Sequence, residues 1–276
     1  MINNYRGRIA PSPTGLLHLG HAMTFSVAQE RAHAAAGSLI LRIEDIDAAR
    51  CRSEFTHAII EDLRWFGLSW SEGPDVGGPF VPYLQSERRA LFARALHQVR
   101  ARGFIYPCAC SRKDVINAAT APHDSEADEP IYPGSCRVSQ PRSDATSPPN
   151  WRFRVPDGEA LSFVDDRLGR QTALAGRDFG DFIVWRRDDV PSYQLAVVVD
   201  DAAMGITEVV RGEDLRLSTF RQLLLYRALD LEPPRFFHTR LLRDATGRRL
   251  AKRNAALTLR ALRASGKTPA DVRAND

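Results

Sequence analysis

Two imidazoles one helical turn apart are the first chemistry this chain offers. They close the run Pro11-Ser12-Pro13-Thr14-Gly15-Leu16-Leu17-His18-Leu19-Gly20-His21, between a short apolar segment and a helical one. Glycine lets backbone approach a ligand, and a helix start presents free N–H groups and the positive end of its dipole. His18 and His21 can hydrogen-bond one polyphosphate there, so a nucleotide fits; two surface histidines beside a turn would read the same way. Near the far end, Arg249-Leu250-Ala251-Lys252-Arg253-Asn254 follows Gly247 and offers point charges for developing negative charge on phosphate. From Arg235 to Arg263 basic residues are opposed only by Asp244, a patch that phosphates attract or a plain solvated face.

A third group is sulfur. Cys108 and Cys110, then Tyr132 and Cys136, supply three thiols and a phenol that a fold can bring to a tetrahedral zinc at about 2.3 Å per sulfur. His123 or water competes with Tyr132 for the fourth position, and structural thiols without metal are the alternative. Cys51 stands apart as an ordinary thiol.

The elements that must position these groups follow from periodicity. A strand over Arg8 to Ala10, a helix from about Gly20 to Ala36 stopped by Gly37, and a buried strand Leu39–Ile43 make the opening of a parallel α/β sheet. Helices are predicted over Phe55–Phe66, before Gly67, and over Leu91–Val99, before Gly103. Asn117 to Asn150, rich in Ala, Ser, Asp and Pro, reads as an irregular insertion. Strands are predicted at Arg152–Val155, Leu161–Val164 and Phe182–Trp185, then a second buried strand Gln194–Val199 ending at Asp200-Asp201. A helix opened by Ser218 or Thr219 is expected to run to about Leu229.

Composition agrees with an ordinary globular chain: 276 residues, 43% hydrophobic and 26% charged, which excludes disordered, collagen-like and disulfide-scaffold classes. The formal charge of +4 permits an anionic partner without demanding one. There is no apolar run of about 18 residues and no signal-peptide pattern, so a cytoplasmic protein with no membrane partner is expected.

The two terminal motifs resemble the HIGH and KMSKS signatures of class I aminoacyl-tRNA synthetases. Within that class, Arg8-Ile9-Ala10-Pro11-Ser12, Arg42-Ile43-Glu44-Asp45-Ile46-Asp47, Tyr83 to Arg88 and Val210-Arg211-Gly212-Glu213-Asp214-Leu215 resemble the glutamyl and glutaminyl branch, over nearly all of Arg8 to Asn254. The resemblance implies an α/β fold: a Rossmann-type catalytic domain in two halves (1–105 and 181–235), an inserted zinc-binding subdomain (106–180), and a KMSKS-like loop with a short helical end (236–276). It implies ATP, with Mg2+, on His18, Gly20, His21 and Lys252, and catalysis by His18, His21 and Lys252. It puts Arg8, Ile9, Ala10, Pro11, Ser12, Glu44, Tyr193 and Arg211 at L-glutamate, with arginines for carboxylates and Glu44 for the ammonium. Arg249 and Ala251 depart from the second signature, keeping its charge and losing a hydroxyl.

The pattern Cys-x-Cys, Tyr-x-x-x-Cys is similar to that of the glutamyl-Q tRNA(Asp) synthetase family, which implies one structural zinc per chain on Cys108, Cys110, Tyr132 and Cys136. So few residues remain beyond Asn254 that no anticodon-binding domain is expected. In that family the catalytic domain receives the anticodon loop of queuosine-containing tRNA(Asp), and glutamate is esterified to the cyclopentene-diol of queuosine at position 34. The Arg-rich end and Tyr83 to Arg88 are the surfaces expected to meet that RNA, and a monomer is expected. The alternatives are a truncated glutamyl-tRNA synthetase charging a tRNA 3′ end, or a catalytically silent ATP- or RNA-binding module.

Overall fold

The computed structural model describes residues 5–111, 114, 131–138, 148–242 and 257–273. Within them the order is β1 (Arg6–Ile9), α1 (Leu19–Ala34), β2 (Ser38–Leu41), α2 (Ser53–Trp65), α3 (Arg89–Ala101), β3 (Ile105–Cys108), α4 (Ser135–Val138), β4 (Asn150–Phe153), β5 (Ala160–Asp165), β6 (Gly169–Leu174), β7 (Phe182–Trp185), α5 (Tyr193–Ala203), β8 (Glu208–Gly212), α6 (Arg216–Ala228), β9 (Arg235–Thr239), α7 (Leu259–Ala264) and α8 (Pro269–Arg273). The fold is mixed α/β.

The face that carries the candidate site is built on parallel strands. β1 pairs with β2 from Arg6 opposite Ser38 to Ile9 opposite Leu41, and β8 pairs with β9 from Glu208 opposite Arg235 to Gly212 opposite Thr239. The two pairs lie side by side, with the Thr207 amide just before β8 donating to Arg6 O at 2.9 Å. The β5–β6 hairpin extends this layer through Asp165 opposite Phe236, while β3, β4 and β7 form an antiparallel sheet. Helix α1 lies close on β1 and β8 because its inward residues are mostly small: Ala22, Ser26, Ala28 and Ala32 around Phe25. It stops where Gly37 passes the chain, since a Cβ there would lie 2.5 Å from Tyr5 O.

The run Gln194–Val199, expected as a strand, lies in the first two turns of helix α5. Leu195 through Asp201 are all buried, so no polar face reveals a 3.6-residue period, and a short all-apolar run fits a buried strand or a buried helix equally. The missed signal is Ser192, whose Oγ accepts from the Leu195 amide as an N-cap. Ser218 and Thr219 also differ from expectation: they lie inside α6, which a 3-10 turn over Glu213–Leu215 precedes, and their hydroxyls bond to Gln194 and Arg211 instead of capping.

Candidate functional site

The chain leaves β1 through Ala10, Pro11 and Ser12 and enters α1 at His18, whose extended backbone (φ −86°, ψ 152°) makes it the N-cap. His18 O accepts from the His21 and Ala22 amides, while the His18 side chain makes no capping hydrogen bond and no acid occupies the first turn. The start of α1 therefore keeps its positive end for an anion. Among the described residues, a Cβ on Gly15 or Gly20 would meet nothing within 4 Å beyond its own chain neighbours, so their packing does not demand glycine at either place. Thr258 forms an antiparallel bridge with His18, and Leu259 N donates to Leu17 O at 2.8 Å, so chain beyond Lys252 returns to this loop. Lys252, with Arg249 and Ala251, lies outside the described residues, as does His123.

Arg8 and Arg211, on neighbouring strands, are each 4% exposed, and both converge with Arg42 and Asp201 on the buried Tyr226, whose phenol burial pushes upward. Arg8 donates through Nη1 to Val210 O at 3.0 Å and stands 3.5 Å from Asp201 Oδ1 through Nε. Arg42, fully buried, reaches Asp201 at 2.6 Å and Glu44 at 3.1 Å. Glu44 is held at the mouth of this group by its own amide bonding to Pro11 O. Burial raises the Glu44 carboxyl and Arg42 and Arg8 oppose it. Arg211 reaches Tyr193 Oη at 3.5 Å, at the exposed start of α5. Arg8, Pro11, Glu44, Tyr193 and Arg211 are thus brought to one region, while Ile9 points into the core and Ser12 is exposed on the loop.

Several members of this site carried no motif signal. Asp200 and Asp201 arrive on the last turn of α5; Asp200 binds Arg88 at 2.6 Å and Gln85 at 2.7 Å. His238 on β9 is fully buried, with Nδ1 2.6 Å from Asp165 Oδ2 and Nε2 facing Arg211 Nε at 3.3 Å and Thr219 Oγ1 at 3.1 Å. Only the Asp-Asp pair that ends the apolar run could have drawn notice in the sequence.

Tyr83, Gln85 and Arg88 were expected on an RNA surface and are instead buried, because Arg88 and Gln85 serve the interior carboxylate of Asp200 and Tyr83 donates to Glu72. In the basic end, Arg235 pairs with Glu208 and Arg260 with Asp62 and Glu61, so part of that charge is used within the protein. A groove of roughly 550 Å³, lined by Pro13, Asp45, Cys51, Arg52, His57 and Ser86 among others, opens beside the loop and includes none of Arg8, Glu44, Tyr193 or Arg211.

Cys108, Cys110 and Cys136 form a single group, their Sγ atoms within 4.8 Å of one another. Cys110 and Cys136 are 3.6 Å apart, close to the ~3.8 Å edge of a tetrahedron with 2.3 Å metal–sulfur bonds. The Tyr132 phenol oxygen lies 3.5 Å from both Cys108 and Cys110 and accepts from the Cys136 amide at 2.9 Å. Burial raises the Cys110 thiol to about 11; for Cys136 burial acts upward too, but hydrogen bonds, first that of Tyr132, bring it below its usual value. Arg152 donates to Cys108 Sγ at 3.1 Å and lies over the Tyr132 ring.

A parallel α/β face carrying an anion-ready helix start beside paired arginines and a carboxylate defines a class I synthetase catalytic domain. The family model described as tRNA synthetases class I (E and Q), catalytic domain, matches residues 4–273. A glutamyl-Q tRNA(Asp) synthetase of Symbiobacterium thermophilum is 51% identical over 96% of this chain and 83% of its own length, and one of Nitratidesulfovibrio vulgaris is 48% identical over 97% and 83%. A solved glutamate tRNA ligase of Elizabethkingia meningosepticum, in complex with its amino acid, superposes with a TM-score of 0.79 at 30% identity, over 91% of this chain and 52% of that one. The chain belongs to this class I family, in its glutamyl-Q tRNA(Asp) synthetase branch.

Proposed function

We propose that the protein activates L-glutamate with ATP to glutamyl-adenylate and transfers the glutamyl group to the cyclopentene-diol of queuosine at position 34 of tRNA(Asp). The observation that carries the glutamate half is the convergence of two buried guanidiniums, Arg8 and Arg211, with the nearly buried carboxylate of Glu44. That is the charge complement of an amino acid with two carboxylates and one ammonium. The acceptor half is supported by relatives that carry the glutamyl-Q name and align over most of their own length.

ATP enters as its Mg2+ complex, its phosphates against His18, Gly20 and His21 at the start of α1, with Lys252 on the leaving pyrophosphate. The glutamate carboxylate attacks the α-phosphorus, pyrophosphate departs, and a queuosine hydroxyl then attacks the activated carbonyl and releases AMP. Positioning of the diol against the adenylate is sufficient for that second step. A structural zinc, part of an inserted subdomain, is proposed on Cys108, Cys110 and Cys136 with Tyr132 fourth; Arg152 offsets the anionic charge of the thiolates, and with four protein ligands the metal stabilises the fold.

The test is glutamate-dependent ATP–pyrophosphate exchange without tRNA, then labelled glutamate with tRNA(Asp) purified with or without queuosine. Exchange with labelling of queuosine-containing tRNA(Asp) alone is expected. Labelling of tRNA(Glu) would favour a 3′-end-charging enzyme, a reading kept open by a Halorhodospira halophila glutamate–tRNA ligase 41% identical over 95% of this chain and 56% of its own length. Lys252→Ala is expected to slow adenylate formation at least about a hundredfold with little change in glutamate affinity; an unchanged exchange rate would remove that residue from the chemistry.

A further inference from the structure

We propose that His238, fixed by Asp165 as the tautomer protonated on Nδ1, is a positioning residue that aims the Arg211 guanidinium at the substrate's side-chain carboxylate and so sets discrimination between glutamate and glutamine. The inference rests on the glutamate reading above and assigns a role to groups outside its direct contacts.

The argument begins at Asp165. Its Oδ1 accepts from the Arg167 and Leu168 amides at 3.0 and 2.8 Å, and its Oδ2 from the His238 amide at 3.0 Å, so three backbone donors hold the carboxylate in place. A carboxylate so held can only accept, and it lies 2.6 Å from His238 Nδ1, which must therefore carry the proton. The other ring nitrogen, Nε2, is left with a lone pair. It meets Arg211 Nε at 3.3 Å and Thr219 Oγ1 at 3.1 Å, and that hydroxyl accepts from Arg211 Nη2 at 2.7 Å. Burial, and next the Arg211 charge, bring the imidazolium down to about 4, so the ring is neutral at pH 7 and its acceptor survives.

Arg211 is thereby gripped along one edge of its planar fork by two neutral acceptors. Among the described residues no carboxylate lies within ion-pair distance of it, in contrast to Arg8, Arg42 and Arg88, which all pair with Asp200 or Asp201. No anion of the described residues takes up its charge. The ungripped nitrogen, Nη1, lies toward Tyr193 at the exposed start of α5, where a carboxylate can meet the fork. A neutral amide cannot supply the anion such a buried cation favours. An acidic group in the place of His238 would neutralise Arg211, and a ring protonated on Nε2 would turn a donor toward it.

The experiment compares two amides at position 238. Asparagine reaches the Nδ1 position and keeps the bond to Asp165 while losing the acceptor for Arg211; glutamine reaches the Nε2 position and keeps that acceptor while losing Asp165. Wild type, His238→Asn and His238→Gln are measured by ATP–pyrophosphate exchange for KM and kcat with glutamate, for KM of ATP, and with glutamine in place of glutamate, alongside melting temperatures. His238→Asn is expected to raise the glutamate KM about tenfold or more, leave the ATP KM within about twofold, and narrow the preference for glutamate over glutamine; His238→Gln should stay within about threefold of wild type. Asparagine performing as well as glutamine, losses that follow melting temperature, or an ATP KM rising in step would overturn the assignment. No exchange by the wild type would remove the glutamate reading itself and this inference with it.

Discussion

Arg42 carries its guanidinium into the interior because carboxylates meet it there: Asp201 at 2.6 Å, Glu44 at 3.1 Å and Asp200 at 3.8 Å. Burial alone would weaken its charge, and those anions outweigh the penalty and raise its pKa. Arg42→Met should therefore leave buried carboxylates without their common cation and lower stability by about 3–5 kcal/mol, read from the urea midpoint. A loss below about 1 kcal/mol would mean that the anions take up protons or water at little cost. The residue types of this site were largely legible beforehand, since Arg8, Glu44 and Arg211 each sit in a contiguous motif. Asp165, Thr219 and His238 were not, because β5, α6 and β9 deliver them from far apart in sequence and none stands in a pattern of its own.

Between elements, Glu208 at the start of β8 ties the sheet to α1 and β9. Fully buried, it bonds Arg31 and Arg235 at 2.7 Å each and accepts from Tyr5 Oη at 2.7 Å. Burial acts to raise its pKa, but these partners bring it down to about 2 from 4.5. Because the folded value lies below the unfolded one, the stability it contributes is complete above about pH 4.5 and is lost as pH falls through about 2. With Arg31 and Arg235 partly in solvent, the contribution is on the order of 1–2 kcal/mol. Glu208→Gln should flatten the acid limb of the stability curve across that interval; an equally steep limb would assign the acid sensitivity to other carboxylates. Helix α5 shows where pattern reading fails at this scale: an element buried on every side loses the polar face from which its period is read.

Across the whole molecule, the cysteine group holds β3 to α4, with Arg152 of β4 against it. If it is a structural metal centre, the purified protein should contain about one zinc per chain, and chelation should lower the melting temperature while glutamate-dependent exchange at 25 °C stays within about twofold. Exchange lost in proportion to zinc, before any unfolding, would move the metal into the chemistry. The sequence by itself determined the chemical inventory: the loop before α1, the three cysteines, and arginines with a glutamate suited to a dicarboxylic amino acid. Local signals suffice for these, because the loop is one run of neighbours, the three cysteines lie within one short stretch, and Arg8, Glu44 and Arg211 each stand in a short motif that resembles the family's, which is what assigns them to glutamate. Only the tertiary structure decided how the buried charges pair, that Gln85 and Arg88 serve Asp200 and Tyr83 serves Glu72 instead of a surface, and that His238 turns an acceptor toward Arg211. Those outcomes depend on distances between strands and helices far apart in the chain, where burial makes each unpaired polar group costly and so selects one arrangement.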